Sequence, residues 1–526
     1  MKISGIRFTI FLNVAFTVIL CVQNLQAFPK LNSDTTILRT HRVRIKGKSL
    51  KYESITGLLP VLNKGKSIAS VFFTYYRRRD VTNSMHRPII FHFNGGYGAS
   101  SKLLHMGYTS PRIASLNEEG YPIQPYGVVE NTHSILDVAD LVYIDPVGTG
   151  YSKVVGMIDS VRKADSRFFN EPADVEYLGV WISSFLKRYN RLLSPLFLLG
   201  ESAGGRRVCG LSGKLMKENI PVNGIILVSS ANIVEERDIF TDARSIFRDK
   251  PRIYSLIKEN SNWESKLDVC KKLVTNALAA RYYGCIPNNY LVMGINKFEE
   301  EVENFALNQY FPALLAGIDC LSLNELDLLA SKISAYTGIN KEELLVSKLE
   351  INFPPLSSLS KLFLKSAKNK GLYGFGKYDI RYNEKIGPTD IVSINHAYHN
   401  ALLSYIDQEL GFKTSMNYGI AGGIDFTKYS DYLLQTLKDV MKNNPFMQIL
   451  AQAGYYDPAT DIVSQKINLT MLDQKDNFKN RIHFRAYEAG HMFYVRKSER
   501  LKALDDLREF VIKAVPKPGH PAKYLN

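Results

Sequence analysis

The stretch Leu196-Phe197-Leu198-Leu199-Gly200-Glu201-Ser202-Ala203-Gly204-Gly205 decides how this chain reads. Four consecutive apolar residues suit a strand buried on both faces. They run into a Gly-x-Ser-x-Gly pattern, after which residues 206–218 form an amphipathic helical stretch. A strand, a sharp turn carrying a serine, and a helix together make a nucleophile elbow, where small neighbours are required because the turn is crowded. The five-residue pattern alone arises by chance in roughly one protein in ten of this size. Its setting between a strand and a helix gives it weight over an incidental serine in a glycine-rich turn.

Working outward, the same alternation repeats. Residues 52–61 and 69–76 are rich in β-branched and aromatic residues, with Asn63-Lys64-Gly65-Lys66 between them, and read as an antiparallel hairpin. Short apolar runs at 88–93, 139–144, 195–199 and 224–228 read as buried parallel strands, with helical stretches at 173–189 and 206–218 between them. The alternation resumes with a helix at 396–410, strands at 448–452 and 483–487, and a terminal helix at 499–515. Strand alternating with helix is the α/β signature, here of the α/β-hydrolase kind: a mostly parallel sheet flanked by helices. Residues 232–390 break the alternation. They are polar and helix-rich (297–307, 322–336, 341–349), and read as an inserted lid. The expected division is a leader at 1–27, the core's first part at 28–231, the insertion at 232–390 and the core's second part at 391–526.

A serine needs a base within hydrogen-bond reach to act as a nucleophile. In this fold the partners follow in the order serine, acid, histidine, each in a loop after a strand. Asp457 follows the strand ending at Ala453-Gly454, and His491 follows the last strand within Glu488-Ala489-Gly490-His491-Met492. Asp461 is a rival acid but falls where the next helix should be, and His483 lies within a strand. An oxyanion hole would use the N–H of Ala203 and one from the early loop Asn94-Gly95-Gly96-Tyr97-Gly98, which follows the strand at 88–93.

With these segments in place, the chain resembles the serine carboxypeptidase family, particularly its bacterial members. The matching stretches are Asn94-Gly95-Gly96-Tyr97-Gly98-Ala99-Ser100-Ser101, Asp145-Pro146-Val147-Gly148-Thr149-Gly150-Tyr151-Ser152, Gly200-Glu201-Ser202, Gly454-Tyr455-Tyr456-Asp457 and Ala489-Gly490-His491-Met492, in family order. The resemblance implies a Ser202–Asp457–His491 triad, with Gly96 and Ala203 as oxyanion donors. It also implies recognition of a substrate's terminal carboxylate through Asn94, Gly95 and Glu201. Three positions depart from the pattern: His92 replaces a frequent tryptophan, Tyr97 the usual proline, and His105 a second glutamate. A protonated His105 beside Asn94 is therefore one expectation for carboxylate binding, and a packed or capping His105 is the other.

Composition narrows the surroundings. The formal charge of +15 comes from 66 basic and 51 acidic residues scattered along 526 positions, so no nucleic-acid stripe is indicated. Short clusters such as Arg77-Arg78-Arg79 read as solvated strand ends. Lys2 and Arg7, an apolar run over 8–22 and the small Ala27 resemble a signal peptide, which implies a secreted or periplasmic protein without stable membrane association. Beyond that leader, Cys209, Cys270, Cys285 and Cys320 permit disulfides, Cys270 with Cys285 being closest in sequence, or four buried free thiols. No CxxC or HExxH motif occurs, and His396 and His399 are a lone helical pair, so neither metal nor cofactor is expected. Asn468-Leu469-Thr470 matches a glycosylation acceptor of relevance only to a eukaryotic secretory route. The expected activity is release of C-terminal residues from peptides through a Ser202 acyl-enzyme. An esterase or acyltransferase using the same triad, or a non-catalytic binding protein of the same fold, are the alternatives. The sequence does not specify the oligomeric state.

Overall fold

The computed structural model describes residues 32–96, 98–156, 167–234, 251–349, 378–382, 391–419 and 432–515. The leader at 1–27, Tyr97, the tail at 516–519 and parts of the expected insertion lie outside the described residues.

Nine strands form the body of the central sheet: β1 (Thr36–Ile45), β2 (Lys48–Asn63), β3 (Lys66–Arg78), β4 (Ile89–Phe93), β5 (Asp140–Asp145), β6 (Leu196–Glu201), β7 (Gly224–Val228), β8 (Gln448–Gly454) and β9 (Ile482–Tyr487). They lie in the order β1-β2-β3-β5-β4-β6-β7-β8-β9, with a two-residue strand, Lys153–Val154, beside β3. The first four in that order pair antiparallel and the rest are parallel. Lys64 and Gly65 join β2 to β3 with positive φ at both positions, the geometry whose twist suits a two-residue hairpin. A similar Lys46-Gly47 turn joins β1, which the sequence reading did not anticipate.

The buried parallel strands present side chains to two separate cores. On β7, Ile225 and Leu227 belong to one cluster and Ile226 and Val228 to the other; β6 divides likewise, Leu198 against Phe197 and Leu199. This is the period-2 consequence of covering both faces. Helices Glu171–Arg188, Ala203–Lys217, Leu433–Asn443 and Ile462–Leu472 cover the first face. Helices Ile391–Gln408 and Lys497–Ala514 cover the second. The chain thus has the α/β-hydrolase architecture that the strand–helix alternation predicts.

Described residues 251–349 are helical, dominated by Trp263–Tyr283, Ile295–Phe305 and Leu323–Thr337. Ser322 and Glu325 form a capping box at the start of the last, and Gly338 ends it in the left-handed conformation. Trp263, Leu273, Phe298 and Tyr336 of these helices join the same hydrophobic cluster as Phe91 and Ile449 of the sheet.

A buried ion pair ties the helix Ala203–Lys217 to its neighbour. Arg207 and Asp174 are both fully buried, with Arg207 Nε donating to Asp174 Oδ2. Among the described residues no disulfide joins the four cysteines: Cys209 and Cys270 are buried, whereas Cys285 is partly covered and Cys320 exposed. Arg77 and Arg79 pair with Glu53, and Arg78 with Asp80, at the end of β3. Asn468 is buried on the helix Ile462–Leu472, which does not present its triplet for glycosylation.

Candidate active site

Ser202 stands between β6 and the helix Ala203–Lys217 with φ 52° and ψ −122°, a conformation that a residue with a side chain rarely adopts. Backbone bonds hold it there. Its N–H donates to Val228 O at 2.9 Å, and its carbonyl accepts from Gly205 N and Ala231 N, each at 2.9 Å. The flanking glycines are sterically required. A Cβ on Gly200 would lie 2.1 Å from Gly204 O, and one on Gly204 would lie 2.5 Å from Phe93 O. The turn closes only because neither side chain exists.

His491 and Asp457 come together from the loops after β9 and β8. His491 Nδ1 and Asp457 Oδ2 are 2.8 Å apart, and both residues are buried. Asp457 Oδ1 accepts from Ala459 N at 2.8 Å and Thr460 N at 3.0 Å, and Thr460 Oγ1 donates to Asp457 Oδ2 at 2.6 Å. Burial pushes the Asp457 carboxyl up, but His491 and the Thr460 donors outweigh it and hold it below its ordinary value. Burial lowers the His491 pKa, while the Asp457 charge and hydrogen bond, with Glu201 beyond, leave it raised. Asp461, the rival acid, instead caps the next helix by accepting from Ser464 N at 2.9 Å. His483 stays in β9, against Gln448.

Ser202 and His491 line one cavity of about 170 Å³, together with Asn94, Gly95, Gly96 and Glu201. No hydrogen bond joins Ser202 to His491 among the described residues; such bonds are often long until substrate binds. Gly96, at φ +69°, lies on this wall, and Ala203 opens the helix, where first-turn N–H groups lack intrahelical partners. Larger depressions near Asp506 and between the insertion helices, of about 490 and 570 Å³, contain neither Ser202 nor His491.

Behind the serine, Glu201 is buried and fully engaged. Its Oε2 accepts from Asn94 Nδ2, its Oε1 from Tyr494 OH, and Gly95 N–H also points to it. Asn94 Oδ1 accepts from Leu104 N at 2.8 Å, which fixes the amide so that its NH₂ faces Glu201. Burial raises the Glu201 pKa, against the opposing pull of His491, Tyr494 and Gly95.

The expectation of a protonated His105 at the carboxylate is corrected. His105 is buried away from the cavity, stacked on Tyr143 with ring centroids 4.1 Å apart, and bonded to Tyr76 OH at 2.7 Å. Burial, with nearby His92, pushes its pKa down to about 3, so it is a neutral packing residue. His92 is the same kind of residue: bonded to Thr109 and Val142, stacked on Tyr143, and lowered to about 3 by burial.

The structure also brings in residues that sequence reasoning missed. Tyr378 lines the cavity, and its carbonyl accepts from His491 N at 2.7 Å. Asn395 lines it from the helix Ile391–Gln408. Thr460 braces the acid, and Tyr494 braces Glu201. Only Tyr494, three residues after His491, and Thr460, three after Asp457, carried a local signal. No group of metal-ligating side chains occurs among the described residues, and no helix among them is long and apolar enough to cross a membrane.

Residues 45–232 match the model of the serine carboxypeptidase family. Serine carboxypeptidase-like 46 of Arabidopsis thaliana is 28% identical over 219 residues, which are 40% of this chain and 41% of that protein. Serine carboxypeptidase-like 45 of the same plant is 30% identical over 154 residues, 28% of this chain and 29% of that protein. The matched segments therefore span well under half of either relative. Among solved structures, the prohormone-processing carboxypeptidase Kex1(Δ)p of Saccharomyces cerevisiae aligns over 88% of this chain and 91% of its own, with a TM-score of 0.50 and 14% identity, a likeness of fold. The chain is therefore an α/β-hydrolase by fold, similar in sequence to serine carboxypeptidases across the segment that carries Asn94, Glu201 and Ser202.

Proposed function

We propose that this protein is a serine carboxypeptidase-like hydrolase that releases C-terminal residues from peptides through an acyl-enzyme on Ser202. The observation that carries the reading is the strained Ser202 turn sharing a cavity with His491, whose far nitrogen is held by buried Asp457. His491 takes the serine proton as the hydroxyl attacks the scissile carbonyl, and returns it to the leaving amine. The N–H groups of Gly96 and Ala203 receive the oxyanion. Water then attacks the acyl-enzyme by the reverse sequence and frees the shortened peptide. Asp457 keeps the imidazole oriented and stabilises its charged form.

The similarity over residues 45–232 supports a peptide substrate for this machinery. The narrower resemblance to bacterial members, export through the segment at 1–27, and an insertion over 232–390 acting as a lid belong to the same proposal and rest on the sequence. The test is a mass-spectrometric time course on a peptide library, with a fluorophosphonate probe for Ser202. Stepwise C-terminal trimming, lost in Ser202→Ala, is expected. Labelling of Ser202 without any peptide cleavage would move the protein to ester hydrolysis or acyl transfer, and no labelling would make it a binding protein.

A further inference from the structure

Lys102 opens the short helix Lys102–Gly107 with its side chain buried, an expensive place for an ammonium. Its Nζ donates to Asn395 Oδ1 at 2.8 Å. Among the described residues no carboxylate lies within ion-pair distance. Asp145 acts only from further off, its Oδ1 accepting from Ser101 N and Ser101 Oγ, each at 2.8 Å. A buried cation with no close counter-ion is costly, and an anion bound nearby would offset that cost.

Asn395 connects that cation to the chemistry. It lines the cavity with Ser202 and His491, and Lys102 fixes its amide by occupying Oδ1. Its NH₂ group, a pair of donors, has no hydrogen-bond partner among the described residues. Asn94, Gly95 and Glu201 line the same cavity, where Asn94 and Tyr494 donate to the Glu201 carboxylate, and His105 is neutral and outside it.

We propose that Asn395, held and electrostatically backed by Lys102, binds the terminal carboxylate of the peptide substrate. This rests on the carboxypeptidase reading above. Asn395 is the contact residue and Lys102 a positioning residue behind it. Burial, opposed by Asp145, lowers the Lys102 pKa to about 8, and His399 is the other titratable group facing it. The preference for an anionic terminus should therefore fade as pH rises past that value.

The test compares one blocked peptide with a free C-terminal carboxylate and the same peptide amidated, on the full-length enzyme. In Asn395→Leu and Lys102→Met, KM for the free acid is expected to rise so that kcat/KM falls roughly 10- to 100-fold, as for loss of a charge-assisted hydrogen bond. The amide should change less than about threefold, and Lys102→Arg should restore part of the preference. Asn395→Asp guards against misfolding: it gives Lys102 a counter-ion while repelling the substrate, and fluorophosphonate labelling of Ser202 reports an intact turn. Equal losses on both peptides, or none, would overturn the assignment of Lys102 and Asn395. Wild-type protein that cleaves both peptides equally would overturn the carboxypeptidase reading and this one with it. If wild type discriminates and every variant discriminates as sharply, only the present inference falls.

Discussion

His491 Nδ1 lies 2.8 Å from Asp457 Oδ2 inside a pocket where both side chains are buried, so the imidazole has one tautomer and one orientation to offer Ser202. Asp457→Asn keeps the shape but presents an amide where the carboxylate accepted a hydrogen bond. It is expected to lower kcat by about 10⁴, and Ser202→Ala by about 10⁶, in steady-state assays on any substrate the enzyme turns over. The pH profile follows from the same pair. The base must be neutral, and Asp457 outweighs burial to raise the His491 pKa, so kcat/KM should climb with pH through a midpoint above the ordinary imidazole value. Residual activity of Asp457→Asn should show that midpoint displaced downward. A midpoint unmoved by the substitution would mean that another group controls the acid limb.

The elbow makes a steric prediction. A methyl on Gly204 would meet Phe93 O at 2.5 Å and Asn94 O at 2.7 Å, pushing the helix away from the loop at Asn94. Gly204→Ala should cost about 3 kcal/mol in chemical denaturation and abolish probe labelling of Ser202. Gly127→Ala is the control. There the nearest atom would be 4.0 Å away, and the change should stay within about 0.5 kcal/mol.

Arg207 and Asp174 offer a test of what holds the helix that follows Ser202. Both are fully buried, and Arg207→Met would leave the Asp174 carboxylate with Tyr177 OH, at 3.1 Å, but without its cation. Urea titration should report a loss of about 3–5 kcal/mol. Removing both charges, with Asp174→Leu added, should recover much of it. A double variant no more stable than the single would show that the pair does not act as a unit.

Much of this site was legible because its chemistry sits at strand ends. β4, β6 and β8 announce themselves by apolar stretches that stop at a glycine or a polar residue, β9 by a shorter mixed stretch before Gly490, and Asn94, Ser202, Asp457 and His491 follow them. What escaped reading depends on contacts between distant segments. Asn395 reaches the cavity from a helix whose sequence shows only amphipathic spacing, and its partner Lys102 is 293 positions away. Tyr494 was within three residues of His491, yet nothing local says that its hydroxyl meets Glu201. His105 stands where the resemblance has a second glutamate, which left carboxylate binding and packing both open; its helix turns the ring toward Tyr76 and Tyr143, the packed arrangement. The antiparallel β1 was missed because its exposed face alternates Arg, Thr and His residues, leaving no apolar run to find.

His105 and His92 carry a stability prediction of definite sign. Burial depresses each folded-state pKa from 6.5 to about 3, so the unfolded chain binds protons that the folded one refuses. Their contribution to stability is full above about pH 6.5 and drains away as pH falls toward 3, by up to about 1.4 kcal/mol per pH unit for each ring. His105→Phe should remove one of these two slopes. At pH 7 it should cost about 1 kcal/mol, since Tyr76 OH loses one partner but keeps Tyr405 OH at 3.2 Å. Thermal melts from pH 7 to 4 are then expected to converge, the variant overtaking wild type in the acid range. Parallel curves would mean that His105 accepts a proton in the folded state, as a carboxylate-binding histidine would.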